Sequence, residues 1–178
     1  MLDTPVVCLL GPRQCGKTTL AMSLEKGLGY ISLDEDGYFQ AATEDPEEFV
    51  ARLPARVTLD EVQRVSALLT ATKRAVDRDR RPGRSLLTGS ANLLLLPGVN
   101  ESLAGRMEVI PLQPLTESKK QRNAGDFLRQ FLAGSFRNAP MVGEGEDFSP
   151  DLPHRVVRGG YPESLTGSPE RARQWHRH

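Results

Sequence analysis

Short apolar runs alternate along this chain with stretches that carry a helical pattern of apolar positions. The apolar runs predict five strands, at residues 5–10, 30–33, 56–59, 85–88 and 107–112. Helical spacing and helix-start residues predict helices at residues 17–27, 45–53 and 63–78. Strands and helices that alternate at these lengths are typical of a parallel sheet with right-handed crossovers. The pattern therefore predicts an α/β fold in which helices sandwich a mainly parallel, five-stranded sheet.

The segment between the second and third predicted strands carries the clearest helix start. Residues 34–37 have the composition of a turn. Asp45 then precedes Pro46 and two glutamates, which is typical of an N-cap, a proline at the first helical position and acids in the first turn. We expect this helix to end before Pro54, because proline does not continue a helix.

The pattern weakens after the fifth predicted strand. It predicts a helix, a loop and a compact turn, at residues 117–133, 138–153 and 156–163. Ser168 and Pro169 are expected to cap a final helix that continues to His178. We therefore divide the chain into a core, residues 1–115, and a helical and irregular extension, residues 116–178. Because the last predicted helix reaches the final residue, we expect the chain to be truncated.

Composition excludes several classes of protein. The 178 residues carry 23 Lys and Arg against 23 Asp and Glu, so no overall charge favours nucleic acid or a membrane surface. No apolar run approaches the roughly 18–20 residues that cross a bilayer, and no basic region precedes the first run. Cys8 and Cys15 do not make a disulfide framework. We therefore expect a cytoplasmic protein.

Residues 11–19 read GPRQCGKTT and match the phosphate-binding loop pattern G-x-x-x-x-G-K-T, the P-loop. A predicted strand precedes them and a predicted helix follows, which is the setting that the pattern requires. Glycines at both ends of the loop let the main chain approach a ligand closely, and N–H groups at a helix N-terminus favour anions. We predict nucleotide contacts from nine residues: Gly11, Pro12, Arg13, Gln14, Cys15, Gly16, Lys17, Thr18 and Thr19.

Two side chains carry the specific chemistry predicted for this loop. Lys17 supplies a mobile positive charge for the outer phosphates, and Thr18 offers a hydroxyl to Mg²⁺. The alternative is a glycine turn in which Lys17 is merely solvated. Cys15 lies at a helix N-terminus, where a thiol can act as a redox switch, and the alternative is a small residue that the loop tolerates.

An acidic pair, Asp60 and Glu61, ends the third predicted strand. Mg²⁺ usually takes one or two carboxylates besides phosphate oxygens and water. We therefore predict Asp60 on or near the metal, directly or through water. Glu61 points elsewhere and is predicted to polarise an attacking water. The alternative is a pair of acids that only caps the following helix.

Hydrolysis also needs a polar group that reaches the γ-phosphate from a neighbouring strand. Ser90 follows the fourth predicted strand and is our candidate, with Asn92 or Thr88 as substitutes. A helix cap is the alternative role for Ser90 or Asn92. Arg106 precedes the fifth strand and is a candidate for the arginine that meets transition-state charge, with a solvated surface role as the alternative.

These segments together resemble the AAA+ superfamily of P-loop ATPases. More closely, they are similar to a group of prokaryotic AAA-type ATPases that carry a C-terminal half of unknown function, often winged-helix-like. The resemblance covers nearly the whole chain and is carried by residues 11–20, 59–65, 86–96, 101–115 and 158–164. Family members usually continue well past the last of these segments, so the resemblance implies a missing C-terminal half.

The resemblance implies ATP rather than GTP, with Mg²⁺, and the chain has no Asn-Lys-x-Asp guanine-reading motif. It implies Lys17 and Thr18 at the phosphates and Mg²⁺. It further implies that Asp60 is the Walker B acid, Glu61 the catalytic base, Ser90 a sensor-like residue and Arg106 an arginine finger. A finger that acts on a neighbouring subunit's nucleotide implies a homo-oligomer, and the missing half implies a protein or DNA partner.

The function predicted from the sequence is Mg²⁺-dependent binding and hydrolysis of ATP. One alternative is a nucleotide-gated binding switch with little turnover, in a DNA-linked or defence role. Another is a small-molecule kinase, since an arginine-rich loop such as residues 78–84 can cover phosphates. The same loop can be read as a nucleic-acid contact, although its interspersed aspartates favour solvation.

Overall fold

A computed structural model describes residues 3–24, 29–90, 93, 105–120, 129, 132–133 and 151–177. The chain divides into two compact units, Met1–Gln113 and Pro114–His178. The first unit holds the sheet, and the second is described separately below.

Five strands form one parallel sheet in the first unit: β1 Val6–Gly11, β2 Gly29–Ser32, β3 Val57–Asp60, β4 Ser85–Ser90 and β5 Met107–Pro111. Their order across the sheet is β2-β3-β4-β1-β5. This confirms the predicted α/β fold with a five-stranded parallel sheet. The fourth strand is longer than the predicted residues 85–88, because β4 continues to pair with β1 as far as Ser90, which lies opposite Gly11.

Helices and one 3₁₀ turn connect these strands: α1 Lys17–Leu24, α2 Asp36–Glu44, α3 Pro46–Ala51, the 3₁₀ turn Val62–Val65 and α4 Ala67–Arg78. The start of α3 is confirmed, since the Asp45 side chain accepts hydrogen bonds from the N–H groups of Glu47 and Glu48. The turn predicted at residues 34–37 is wrong at its end, where α2 begins. Packing explains this helix, because Ala42 is fully buried, and Phe39 partly buried, against a cluster that includes residues of α3 and α4.

The core lies on both faces of the sheet. All six residues of β1 are buried, and their side chains alternate between the two faces. Cys8 and Leu10 pack in a cluster that includes residues of α4, whereas Val7 and Leu9 pack against Ala21 of α1. A strand covered on both faces is typical of a parallel sheet. Burial of β1 gives the P-loop that follows it a rigid attachment.

In the described part of the second unit, four short helices have defined bounds: α5 Glu117–Lys120, α6 Leu152–Arg158, α7 Pro162–Leu165 and α8 Pro169–Trp175. The loop predicted through residue 153 and the turn predicted from residue 156 are wrong where α6 replaces them; residues 138–150 lie outside the described residues. The start of α8 is confirmed, with the Ser168 hydroxyl accepting from the Arg171 N–H. Its predicted end is wrong, since α8 stops at Trp175.

The segment that follows α6 is a close-packed connection. The Arg158 guanidinium donates to the carbonyls of Leu165 and Gly167, at 3.1 and 2.8 Å. A Cβ atom at Gly160 would lie 2.3 Å from the Leu115 carbonyl oxygen, so only glycine fits there. These contacts give the glycine-rich segment 158–164 a structural role within its own unit. Within the described residues, no helix is long and apolar enough to span a membrane.

Candidate functional site

The P-loop leaves the carboxyl end of β1, which lies between β4 and β5 in the sheet. Gln14 and Gly16 have φ angles of 63° and 100°, and the Gly16 carbonyl accepts the first hydrogen bond of α1 from Leu20. A Cβ atom on Gly11 would lie 2.1 Å from the Leu112 carbonyl oxygen. The close approach of the main chain at Leu112, just after β5, therefore requires glycine at position 11, in addition to any requirement of a ligand.

The Lys17 side chain is folded back over its own loop. Only 5% of the residue is exposed, and its ammonium donates to the carbonyl oxygens of Pro12 and Gly11 at 2.8 and 3.2 Å. A buried cation needs such acceptors, because burial without partners is costly. The solvated lysine that the sequence left as an alternative is absent from the structure. Lys17 instead lies directly against the loop that would hold phosphates.

The remaining loop residues differ in exposure. Arg13, Gln14 and Thr19 are exposed, and Pro12 and Thr18 are half-buried. Cys15 is 5% exposed, and this burial favours the role of a small residue packed inside the loop over that of an accessible redox thiol.

Three hydroxyl groups converge on the carboxylate of Asp60. Thr18 and Tyr30 both donate to Oδ2, at 2.9 and 2.6 Å, and Thr88 donates to Oδ1. Partial burial and then the hydrogen bond to Asp60 raise the pKa of Tyr30 above its ordinary range. Asp60 is 4% exposed, so the three donors compensate for the water that it loses. The result is a cluster of oxygen atoms beside the P-loop.

Glu61 adopts an unusual main-chain conformation. Its φ angle of 61° is left-handed, and its N–H donates to the Thr88 hydroxyl at 3.4 Å. The Gln63 side chain donates to Glu61 Oε2 and accepts from the Ser90 N–H at 3.1 Å. The ends of β3 and β4 are thus joined by side chains. The helix-cap alternative fails for Glu61, which makes no side-chain cap to the 3₁₀ turn that follows it.

A cleft of about 830 Å³ opens at the carboxyl ends of the strands. Arg64 on its wall is held by the Leu33 carbonyl at 2.6 Å and by Asp34 at 3.0 Å. Its guanidinium also lies 4.5 Å from the centre of the Phe39 ring. The cleft brings P-loop residues together with the candidate base and sensor: it is lined by Pro12, Arg13, Asp34, Glu61, Gln63, Arg64 and Ser90.

Arg106 lies at the end of the sheet where the parallel strands begin, opposite to the end that carries the P-loop. It precedes β5, whose first residue lies opposite Val6 at the start of β1. At about 3.3 Å per residue, the length of β1 separates Arg106 from the P-loop by about 16 Å. Its guanidinium donates to Asp77 at 2.5 Å and holds the pKa of that carboxyl below its usual range. Within one chain, the structure does not bring Arg106 to the other candidate site residues.

The two substitutes for Ser90 have different outcomes. Thr88 is fully buried and its hydroxyl is used by Asp60, so it faces the acidic side chain rather than the cleft. Asn92 lies outside the described residues.

Sequence reasoning missed Tyr30 and Gln63. Tyr30 begins a predicted strand. The only signal in the sequence was that this strand precedes the strand that ends in Asp60. Gln63 lies two residues after Glu61, a spacing that carries no meaning until the 3₁₀ turn at residues 62–65 is known.

Residues 3–119 match the family model of an AAA domain. The chain belongs to this family, which confirms the resemblance to AAA-type P-loop ATPases and indicates a P-loop nucleotide-binding function. An uncharacterized protein of Mycobacterium bovis and one of Mycobacterium tuberculosis are each 38% identical to the chain over 135 residues. The match covers 74% of this chain and 31% of each relative, so the chain spans about a third of their length.

Among solved structures, the chain is similar to a shikimate kinase from Acinetobacter baumannii in complex with shikimate. The sequence identity is 16%, the TM-score is 0.33, and the match covers 88% of this chain and 93% of the kinase. A similarity at this level carries no argument about the function of this chain.

Proposed function

We propose that this chain binds ATP together with Mg²⁺ and hydrolyses it to ADP and phosphate. The contact between Thr18 and Asp60 carries the proposal, with the hydroxyl and carboxylate oxygens 2.9 Å apart. The two residues come from the start of α1 and the end of β3, 42 positions apart in the chain. Both offer hard oxygen atoms, which fit Mg²⁺ beside a phosphate chain. Bound Mg²⁺ would supply neutralisation of the charge on the outer phosphates.

The P-loop is the proposed phosphate cradle. Main-chain N–H groups of residues 13–18 immediately precede or begin α1, where the helix dipole favours an anion. Lys17 already lies over the loop and is held by two carbonyl oxygens. We assign this ammonium to the outer phosphates, since a phosphate oxygen is a stronger partner for it than a neutral carbonyl.

Glu61 is the proposed general base, and Ser90 the polar group that contacts the γ-phosphate. Both line the cleft that also contains Pro12 and Arg13 of the P-loop. In this role the Glu61 carboxylate accepts a proton from the water that attacks the γ-phosphorus, while Ser90 donates a hydrogen bond to a γ-phosphate oxygen. The cleft has room for both the phosphate and the water.

Arg106 is proposed to act between subunits. Arg106 lies at the end of the sheet opposite the P-loop. This position supports contact with a nucleotide bound to a second copy of the chain, rather than with the nucleotide bound to the same copy. The match covers 31% of each relative, and a protein or DNA partner is proposed to bind segments of the kind that the relatives carry outside it.

The test is ATP binding and phosphate release, measured on the same preparations with and without Mg²⁺. Lys17→Ala is expected to weaken ATP binding by about 100-fold, and Glu61→Gln to keep binding and lose at least about 100-fold in turnover. Lys119→Ala and Glu35→Gln are matched controls, because both residues are exposed. They should behave as the unaltered chain does.

Other outcomes distinguish the rival functions. Normal turnover in Glu61→Gln would remove the catalytic base from the proposal. Tight ATP binding without phosphate release would favour a nucleotide-gated switch. Phosphate transfer to an added metabolite, rather than to water, would favour a small-molecule kinase.

A further inference from the structure

The Gln63 side chain bridges two neighbouring strand ends. Its Nε2 donates to Glu61 Oε2, and its Oε1 accepts from the Ser90 N–H at 3.1 Å. A carboxylate only accepts hydrogen bonds, and a main-chain N–H only donates. The two partners therefore fix the orientation of the amide, and Gln63 is a suitable residue for this bridge because it offers a donor and an acceptor side by side.

The bridge ties Glu61 to the strand beside the P-loop. β4 lies between β3 and β1 in the sheet, and Ser90 at its end is opposite Gly11. Because Gln63 is hydrogen-bonded to Ser90, it holds the Glu61 carboxylate on the side of β3 that faces β4 and the P-loop. Space for the amide depends on Gly89, where a Cβ atom would lie 3.0 Å from Gln63 Oε1.

The main chain of Glu61 also needs external support. A left-handed conformation costs about 1–2 kcal/mol for a residue other than glycine, and such conformations persist where surrounding contacts impose them. The Thr88 hydroxyl accepts from the Glu61 N–H, and Gln63 holds the carboxylate. Main chain and side chain are thus fixed separately from the same neighbouring strand.

We propose that Gln63 is a positioning residue that holds the Glu61 carboxylate toward the P-loop and couples it to the end of β4. The inference rests on the proposed ATPase function and deepens it. Gln63 acts through Glu61, which alone exchanges the proton. Because one amide holds both groups, a displacement of Ser90 when a γ-phosphate binds is passed to the carboxylate of the base.

The competing explanation is a clamp that only stabilises the ends of β3 and β4. The two roles differ in what they change. A clamp affects unfolding and nucleotide binding whether or not Glu61 is a carboxylate. A positioning residue affects turnover, and only while the base that it positions is present.

The test is a double-mutant cycle on ATP turnover. Gln63→Leu removes both hydrogen bonds at similar size, and Gln63→Glu keeps an acceptor for Ser90 but removes the donor to Glu61. Each is measured alone and combined with Glu61→Gln. Gln40→Leu is the matched control, because Gln40 is exposed on α2. ATP affinity and thermal unfolding are measured for every variant.

We expect kcat to fall by about 10-fold or more in Gln63→Leu and at least as far in Gln63→Glu, since a misplaced catalytic group loses rate steeply. The Kd for ATP should stay within about two-fold, because phosphate binding does not depend on the base. In the Glu61→Gln background, neither Gln63 substitution should lower the residual rate further.

Three results would overturn the inference. The first is an unchanged kcat in either Gln63 variant. The second is an equal loss in both backgrounds, or a loss confined to ATP affinity and unfolding temperature, which would identify a clamp. The third is absence of phosphate release from the unaltered chain at saturating ATP and Mg²⁺, which would remove the proposed ATPase function itself and is distinguished by the parallel measurement of ATP binding.

Discussion

The Tyr30 hydroxyl donates to Asp60 Oδ2 at 2.6 Å, the same carboxylate oxygen that accepts from Thr18. Tyr30 reaches it because β2 and β3 are neighbours in the sheet and Ser32 pairs with Asp60. The phenol thus belongs to the group of donors that orients the proposed metal-binding carboxylate. Outer partners of this kind hold a ligand in place and tune its affinity for the ion.

We expect Tyr30→Phe to weaken Mg²⁺ binding by about 10-fold while leaving metal-free ATP binding unchanged. The physical reason is the loss of one of the three donors that orient the Asp60 carboxylate. The measurement is a calorimetric titration of Mg²⁺ into the chain saturated with ATP. Tyr38→Phe is the control, since Tyr38 is 40% exposed on α2. An unchanged Mg²⁺ affinity in Tyr30→Phe would leave Tyr30 as a packing residue only.

A second prediction concerns the glycine that begins the P-loop. We expect Gly11→Ala to lower the free energy of unfolding by about 1–3 kcal/mol, because a Cβ atom there would lie 2.1 Å from the Leu112 carbonyl oxygen. The clash is with main chain, so no rotamer change relieves it. Urea unfolding measures the effect. Gly37→Ala is the matched control: a Cβ atom at Gly37 meets nothing within 4 Å, and this helix should be slightly stabilised. Equal stability of the two variants would contradict the prediction.

The parts of the fold that the sequence predicted are those set by local pattern. The P-loop, the strands and the Asp45 cap depend on residues close together in the chain, and each was found where its pattern lies. Helix α2 was missed because its start, residues 34–37, has turn composition, while the buried Ala42 that secures it is apparent only in the packed structure.

The parts of the site that the sequence did not predict depend on strand order. The Tyr30–Asp60 contact joins residues 30 positions apart, and the Gln63–Ser90 contact joins residues 27 apart. Both require β2, β3 and β4 to lie side by side, which periodicity alone does not state. Arg106 is a different case, because a residue that precedes a strand of a parallel sheet lies at the end far from the P-loop, and the predicted order of elements already implied this.

A third prediction separates the proposed role of Arg106 between subunits from its ion pair with Asp77. We expect ATPase activity per chain to rise with protein concentration, and Arg106→Gln to abolish that rise with ATP affinity unchanged. Asp77→Asn breaks the same ion pair but keeps the cation, so it should retain the rise. Equal loss in both variants would instead assign the pair a structural role.

The same ion pair has a pH dependence of known sign. The hydrogen bond from Arg106 lowers the pKa of Asp77 in the folded chain. The stability contributed by the pair is therefore present above the ordinary aspartate pKa of about 3.9 and lost as the pH falls through the lower folded value. Arg106→Gln should lack this acid-side loss, which chemical unfolding across that pH range would measure.

The last prediction concerns Cys8, which is fully buried in β1. Burial raises the pKa of its thiol from 9.0 to about 12. Because the folded value is raised, the neutral thiol's contribution is present below pH 9 and is lost as the pH rises toward 12. The free energy of unfolding should therefore fall above pH 9 by up to about 1.4 kcal/mol per pH unit. Urea unfolding between pH 8 and about 9.5 measures this below the ordinary tyrosine pKa of about 10. Cys8→Ala should cost about 1 kcal/mol at pH 8 through the small cavity it leaves and show a shallower alkaline decline; an identical decline in both chains would contradict the assignment to Cys8.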